Sequence, residues 1–537
     1  MNSRLDALDR FESRRSTVYA ERGAIATSQP LAATAGLDLL QAGGNAFDAA
    51  IAAAAVLNVV EPTSTGLGGD VFALYRTADG TVAGMRSCGG APAGATIEAV
   101  SATRDDESPE AMPFRGPHTV TVPGTAAGWE ALVSRHGACS LDVLLEPAIS
   151  YAREGFPVTP VIADHWQGAD DLFSDPYARE TFLPIGRPPT AGERVTFEDL
   201  GESLESIASD GASVVYEGYI ADSIVDTVQR AGGFLEKRDL SSFEPEFVDP
   251  IKAPYNGATV YQLPPNNQGP IVLEALRIAE AIGAGDHPFD SVDRLHDFIE
   301  AMKLAFHDGH RHITDPEFES CPPLFDDAWI RDRAERIGKA PLGATDLPPP
   351  GPRGEATDTV LVTVADADGA IVSLINSRFA GFGSGLVADG TGIALQNRGA
   401  SFSLDPSHPN HLAPGKRPFH TLIPGIVSFG PTDWAAFGVM GGHMQPQGHL
   451  QVLSNIIDYG YDLQRALDLP RWRYREDGTV SLEPRFDPAH QLGLVRRGHD
   501  VRVEEPVVFG GAQIVRNQDG IITAATEPRK DGVAIGR

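Results

Sequence analysis

Cysteine, lysine and long apolar runs are all scarce in this chain. Its three cysteines, Cys88, Cys139 and Cys321, are spread through 537 residues with no CxxC pair. That argues against a disulfide scaffold or a zinc knuckle and leads us to expect a reducing, cytoplasmic setting. The most apolar stretch, AAIAAAAVLNVV from Ala49 to Val60, falls short of the ~20 residues that a spanning helix needs. It reads instead as a buried helix. The opening residues MNSRLDALDRFESRRS lack the apolar core of an export signal. Lysine occurs six times, and Lys+Arg total 43 against 73 Asp+Glu, a net charge of -30. So acidic a surface repels phosphates and anionic lipid, and neither nucleic acid nor membrane is expected as a partner. A lysine-poor acidic coat fits solubility in high salt and fits plain acidic drift equally well.

What is present is ordinary globular material, 42% hydrophobic and 22% charged. PLAATAGLDLLQA and NAFDAAIAAAAVLNVV read as helices parted by Gly43-Gly44, followed by a glycine-rich corner and a hairpin, FALYR and VAGMRS across ADG. Amphipathic helices follow in LDVLLEPAISYAREG, TFEDLGESLESIAS, YIADSIVDTVQRAGG and SVDRLHDFIEAMKLAFHDGHRHI. From Lys339 to Ala356 the texture turns to proline, glycine and polar residues, a linker. After it, TVLVTVA, the turn DADG and AIVSLINS make a strand pair rich in β-branched residues, and QGHLQVLSNIIDYG makes a helix. The expectation is a helix-rich first part and a strand-led second part, with helices packed outside stacked antiparallel sheets.

Few short motifs carry chemistry. GLGGD and GFGSG are neither a dinucleotide fingerprint nor a P-loop and read as tight corners. No G-x-S-x-G elbow is present. His307, His310 and His312 in HDGHRH, with His296 and Glu300 upstream, show no HExxH pattern, and the HDGHRH histidines read as interacting with the dipole at a helix C-terminus. No metal or other cofactor is expected. In VMGGHMQPQGH, Gly441 and Gly442 stand between a strand and a helix, where two adjacent N–H groups can converge on an oxyanion.

Seven blocks, in order, carry a resemblance: NVVEPTSTGLG with GDVFALY, VTVPGTAAGWEAL, EAMKLAFHDGHRHITDP, DTVLVTVADADGAIVSLINS, GFGSGLVADGTGIALQNRG, PGKRPFHTLIPGI and MGGHMQPQGH. Together they resemble the gamma-glutamyltranspeptidase family over nearly the whole chain. The resemblance implies an α+β fold, the four-layer αββα sandwich of N-terminal nucleophile hydrolases with additional helices. It also implies a precursor that cuts itself between Asp358 and Thr359, leaving a large subunit of residues 1–358 paired with a small one of 359–537. Thr359 would be the nucleophile, Ser377 its hydrogen-bonding partner, and Gly441 and Gly442 the oxyanion hole. Cutting would unmask the Thr359 α-amine, whose ordinary pKa of about 7.7–8.0 suits it to take the proton of its own hydroxyl.

The departures concern the substrate. Where the family's glutamyl enzymes carry an arginine ahead of "AP", this chain has Cys88 in RSCGGAP, with Arg86 two residues earlier on the same strand face. Ser401 stands at the family's ammonium-binding aspartate, His420 and Thr421 replace two serines, and Arg398 replaces a glutamine. The wording NRG and PFHT looks most like the oxamate-amidohydrolase branch. The activity expected from the family as a whole is gamma-glutamyl hydrolysis or transfer on a small amide. A small anionic amide such as oxamate, or an acyl chain as in cephalosporin acylases, is the alternative. An uncleaved binding protein and a metallohydrolase are the other classes to be weighed.

Overall fold

The computed structural model describes residues 15–103, 111–343 and 359–537. Asp358 lies outside the described residues, as do residues 344–356 of the expected linker. Two seven-stranded antiparallel sheets form the centre. The first runs Val533–Gly536, Gly23–Thr27, Val360–Asp366, Ile371–Ser377, Asp70–Arg76, Val82–Ser87, Glu246–Val248. The second runs Val18–Ala20, Ile521–Thr526, Gly511–Gln518, Asp433–Met440, Gly425–Gly430, Ala258–Gln262, Ile251–Tyr255. Both mix strands from either side of the linker. The helix-rich part before the linker and the strand-led part after it are interleaved and not separate units, because each supplies strands to the same sheets.

The strand sequences explain why the sheets stack. Val360–Asp366 and Ile371–Ser377 are buried along their whole length. Successive side chains point to opposite faces. Leu361, Ala365, Ile371 and Ile375 therefore join Met440 and Val515 in the layer between the sheets, while Val360, Val362, Val364 and Leu374 face a helix layer. That layer includes Pro30–Ala42 and Ala46–Val60, the latter buried at every residue, so its alanines allow close approach to the sheet. Asn45 caps it, and the Asp366 carboxylate accepts from the Ala46 N–H at 3.0 Å. On the outer side of the second sheet, Gly269–Ala281, Val292–His312 and Met444–Ile457 form the fourth layer. The αββα order is complete. The C-terminal strand closes on the first strands described: Val533–Gly536 pairs with Gly23–Thr27, and the Arg537 carbonyl accepts from the N–H groups of Glu21 (3.0 Å) and Arg22 (2.7 Å).

Candidate active site

The strand register assembles a row of side chains at one end of the first sheet. Val360 pairs with Asn376, which puts Thr359 opposite Ser377; Ser377 pairs with Asp70, and Val71 with Ser87, which puts Asp70 opposite Cys88. By the period of two, Thr359, Ser377, Asp70 and Cys88 share the face of Leu361, Ile375 and Phe72, turned towards the second sheet. Thr359 is buried, and its Oγ1 donates to Ser377 Oγ at 3.1 Å. Ser377 Oγ in turn accepts from the Phe379 N–H at 2.9 Å. Phe379 holds φ +80°, a left-handed conformation unusual for a bulky residue and of the kind found where a site over-determines its backbone.

Asp70 is the buried acid of this row. Its Oδ2 accepts from His420 Nε2 at 2.9 Å, and its Oδ1 accepts from Gln396 Nε2 at 3.1 Å and the Gly124 N–H at 3.2 Å. The Leu422 N–H donates to His420 Nδ1 at 3.2 Å, which leaves the proton on Nε2 and makes His420 a neutral donor. Burial holds the His420 pKa far below the usual range. Burial also pushes Asp70 up to about 7, against the pull of the nearby Arg398 charge.

Arg398 is fully buried with its guanidinium over the Phe379 ring, 4.5 Å from the centroid. Its Nη1 donates to Thr421 Oγ1 at 2.8 Å. Its Nε and Nη2 have no acceptor among the described residues. Those two N–H groups lie along one edge of the guanidinium plane, the fork that matches the two oxygens of a carboxylate. Burial draws the Arg398 pKa down to about 10, so it remains a cation at neutral pH.

The glycine corner is tied to the same network. Strand Asp433–Met440 ends at Gly441 (φ +113°) and Gly442 (φ +58°), and helix Met444–Ile457 begins two residues on. It starts three residues earlier than the sequence pattern suggests, which brings its positive N-terminal dipole against the corner. A Cβ on Gly441 would lie 3.1 Å from Gly510 Cα, so the close approach as well as the φ angle calls for glycine. Gln268 Nε2 donates to the Gly442 carbonyl at 2.9 Å and the Thr421 carbonyl at 2.8 Å, joining the corner to the segment that bears His420 and Thr421.

The other expected substrate residues are placed differently. Arg86 Nε donates to Glu246 Oε2 at 2.5 Å and its Nη1 to the Pro265 carbonyl. Glu246 also meets Arg417 Nη1 at 2.6 Å. The Arg86 guanidinium is therefore fastened to the sheet edge. Cys88 ends the row as a neutral thiol, pushed up to about 12 by burial. Ser401 closes the turn Arg398–Ser401 and offers its carbonyl to Asn410 Nδ2 at 2.6 Å. Asp70, Gln396 and Gln268 were not singled out in the sequence. The available signal was an acid closing a glycine run at the head of an otherwise apolar strand, DVFALY.

Of the histidines weighed for metal, His296 joins Glu300 and His499 in a buried group whose ligand atoms lie within 4.8 Å of one another. The set already holds a positive charge, Lys303 Nζ at 2.7 Å from Glu300 Oε1. It also ties down backbone: His296 Nε2 meets the Gly338 carbonyl at 2.8 Å, and Glu300 Oε2 accepts from the Leu342 N–H at 2.7 Å. This is the arrangement of a polar anchor. No helix among the described residues is long and apolar enough to cross a membrane.

Comparison with known proteins gives the family. Residues 32–537 match the family model described as Gamma-glutamyltranspeptidase. The chain is 36% identical over 533 residues to the glutathione hydrolase-like YwrD proenzyme of Bacillus subtilis (strain 168), covering 97% of this chain and 99% of that one. It is also 36% identical over 524 residues to the oxamate amidohydrolase proenzyme of Klebsiella pneumoniae, covering 94% and 97%. Among solved structures it superimposes on cephalosporin acylase from Bacillus halodurans with a TM-score of 0.91 at 44% identity, over 98% of both chains. The chain belongs to the gamma-glutamyltranspeptidase family of N-terminal nucleophile hydrolases.

Proposed function

We propose that this chain is a self-processing amidohydrolase that forms an acyl-enzyme on Thr359, and that its acyl group carries a carboxylate but no ammonium. In the precursor, Thr359 Oγ1 attacks the Asp358 carbonyl; the peptide C–N bond breaks, an ester forms, and water opens it. The products are fragments 1–358 and 359–537, which stay paired. The freed α-amine of Thr359 then takes the hydroxyl proton as Oγ1 attacks a substrate amide. The Gly441 and Gly442 N–H groups stabilise the oxyanion, with the helix dipole behind them. The leaving amine departs with the proton, and water resolves the ester. Ser377 holds the nucleophile in line through its hydroxyl.

The observation that carries the substrate reading is the empty, buried Nε/Nη2 fork of Arg398. A fully buried cation whose Nε/Nη2 edge has no acceptor is costly even with the Asp70 charge nearby, and an anionic ligand relieves it. Asp70, the carboxylate of the same network, already accepts from His420, Gln396 and Gly124, which leaves it at most one further bond to offer a substrate ammonium. His420 and Thr421 shape the same end of the site. This favours amides of dicarboxylic acids, oxamate among them, over gamma-glutamyl amides. The gamma-glutamyl reading stands second, supported by relatives such as the Escherichia coli glutathione hydrolase proenzyme at 31% identity.

Two anilides decide between them, since glutaryl and gamma-glutamyl p-nitroanilide differ only in the α-amino group. The glutaryl compound should be cleaved with at least ~10-fold higher kcat/KM, the worth of one unpaired buried charge. Faster cleavage of the gamma-glutamyl compound would overturn the proposal. Ammonia release from oxamate then measures how short an acyl group the site accepts.

A further inference from the structure

Helix Met444–Ile457 starts at the glycine corner, and beside its opposite end lies a second cavity of about 360 Å³. Gln451 and Asn455 of that helix form one wall, with Arg294 from the first turn of Val292–His312 beside them. Trp472, Phe289 and Phe486 supply aromatic lining, and Arg465 stands in the same wall as Leu469. None of these residues belongs to the Thr359 network.

Arg294 is the unusual member. It is 6% exposed, enclosed by the rings of Phe289 (4.4 Å), Tyr459 (4.8 Å) and Phe298 (5.2 Å). Its Nη2 donates to Asn455 Oδ1 at 3.1 Å, and its Nε has no acceptor among the described residues. No described carboxylate pairs with it. Asp458, close by, accepts from Tyr255 Oη at 2.6 Å and Asn256 Nδ2 at 2.7 Å instead. Arg485, also in the lining, is already held by Glu483 at 2.6 Å. A buried cation among aromatic rings, with Asp458 nearby but no carboxylate in contact, suits an anion with an apolar body. Asp290 and Asp487 in the lining set the charge limit, since they repel a dianion such as phosphate more than a monoanion.

We propose that this cavity is a second ligand site, distinct from the hydrolytic centre, for a small monocarboxylate with an aromatic or branched apolar body. The carboxylate meets Arg294, with Arg465 in support, and the apolar body lies against Trp472 and Phe486. Occupation adds no chemistry; it is binding alone.

Titration calorimetry of the full-length protein with phenylacetate, and with its neutral isostere phenylacetamide, tests this. Phenylacetate should bind once per chain and the amide at least ~10-fold more weakly, the discrimination expected of a charge-assisted contact. Arg294→Gln should weaken phenylacetate by ~10-fold or more while leaving anilide hydrolysis unchanged, and the milder Arg465→Gln should weaken it less. If Arg294→Gln fails to fold, Arg465→Gln keeps the test alive. Phenylacetate should also bind undiminished to Arg398→Gln and should not compete with the anilide substrate. Equal affinity for acid and amide, no heat at about 10 mM ligand, loss of binding in Arg398→Gln, or undiminished binding in both cavity variants would each overturn the site.

Discussion

Arg398 and Asp70 are neighbours of opposite charge in one buried network, and only Asp70 has its polar atoms satisfied. Arg398→Gln should therefore lower kcat/KM for glutaryl anilide by ~10- to 100-fold, while the protein still processes itself, because the arginine acts on the acyl group and not on the scissile peptide. Thr359→Ala should run as one uncut band on a denaturing gel and release no nitroanilide. Two bands from that variant would remove Thr359 from both steps. For mature enzyme, kcat/KM should fall as the pH drops through about 8 to 7, since protonating the α-amine removes the base. Asp70, pushed up to about 7, then loses its charge over the same range, and the His420 hydrogen bond weakens with it. Both effects have the same sign, and a flat pH profile from 8.5 to 6 would contradict the mechanism. Thr359 and Ser377 were legible only through the family likeness, since a threonine opening a strand has no chemical signature. Asp70 is masked in sequence by the glycines before it, which account for the corner on their own; in the fold, a Cβ on Gly69 would collide with the Ser377 carbonyl.

At the scale of elements, the strands that carry the site were visible as β-branched runs, but they are buried on both faces, so alternation of polarity could not say which face met which layer. Register supplies that information, and register is a long-range property: Ser377 meets Asp70 across a separation of 307 positions. The helix after Gly442 was expected, but its first turn was not, because Met444, Gln445 and Pro446 carry no capping signal in sequence and follow a non-capping His443. Gly441→Ala tests the corner as a unit. With φ +113° and Gly510 Cα 3.1 Å from the new methyl, the backbone must shift, and both N–H groups shift with it. We expect kcat to fall by ~10²-fold, the worth of a misaligned oxyanion donor, with a smaller change in KM. A variant that keeps wild-type kcat would show that the oxyanion is held elsewhere.

Across the molecule, histidine burial sets the acid limit. His443 titrates at about 4 and His449 and His499 at about 3, while His310 and His420 lie far below 6.5, in each case chiefly through burial. Unfolded histidines titrate near 6.5. Above that pH both states are neutral and the stability is fully present. Below it the unfolded chain takes up protons that the folded chain refuses, and stability is lost down to about pH 3–4. Asp70, Asp366 and Glu274, raised by burial, act in the opposite sense but are fewer. The melting temperature should therefore be several degrees lower at pH 5 than at pH 7.5, and an equal or higher value at pH 5 would refute the assignment. The four layers were legible in outline from apolar helices and β-rich runs. The interleaving of strands from both sides of the linker was not, since nothing local in Gly23–Thr27 names Val360–Asp366 as its neighbour.

The meeting of Arg537 with Glu21 and Arg22 has a consequence for the order of the gene. A circular permutant can link Arg537 to the segment ahead of Val18–Ala20 and open the chain at Thr359, so that trimming the initiator methionine exposes the threonine amine directly. Such a protein would be born mature, with nothing to sever. If it folds and yet hydrolyses no anilide, maturation must contribute more than an unblocked nitrogen.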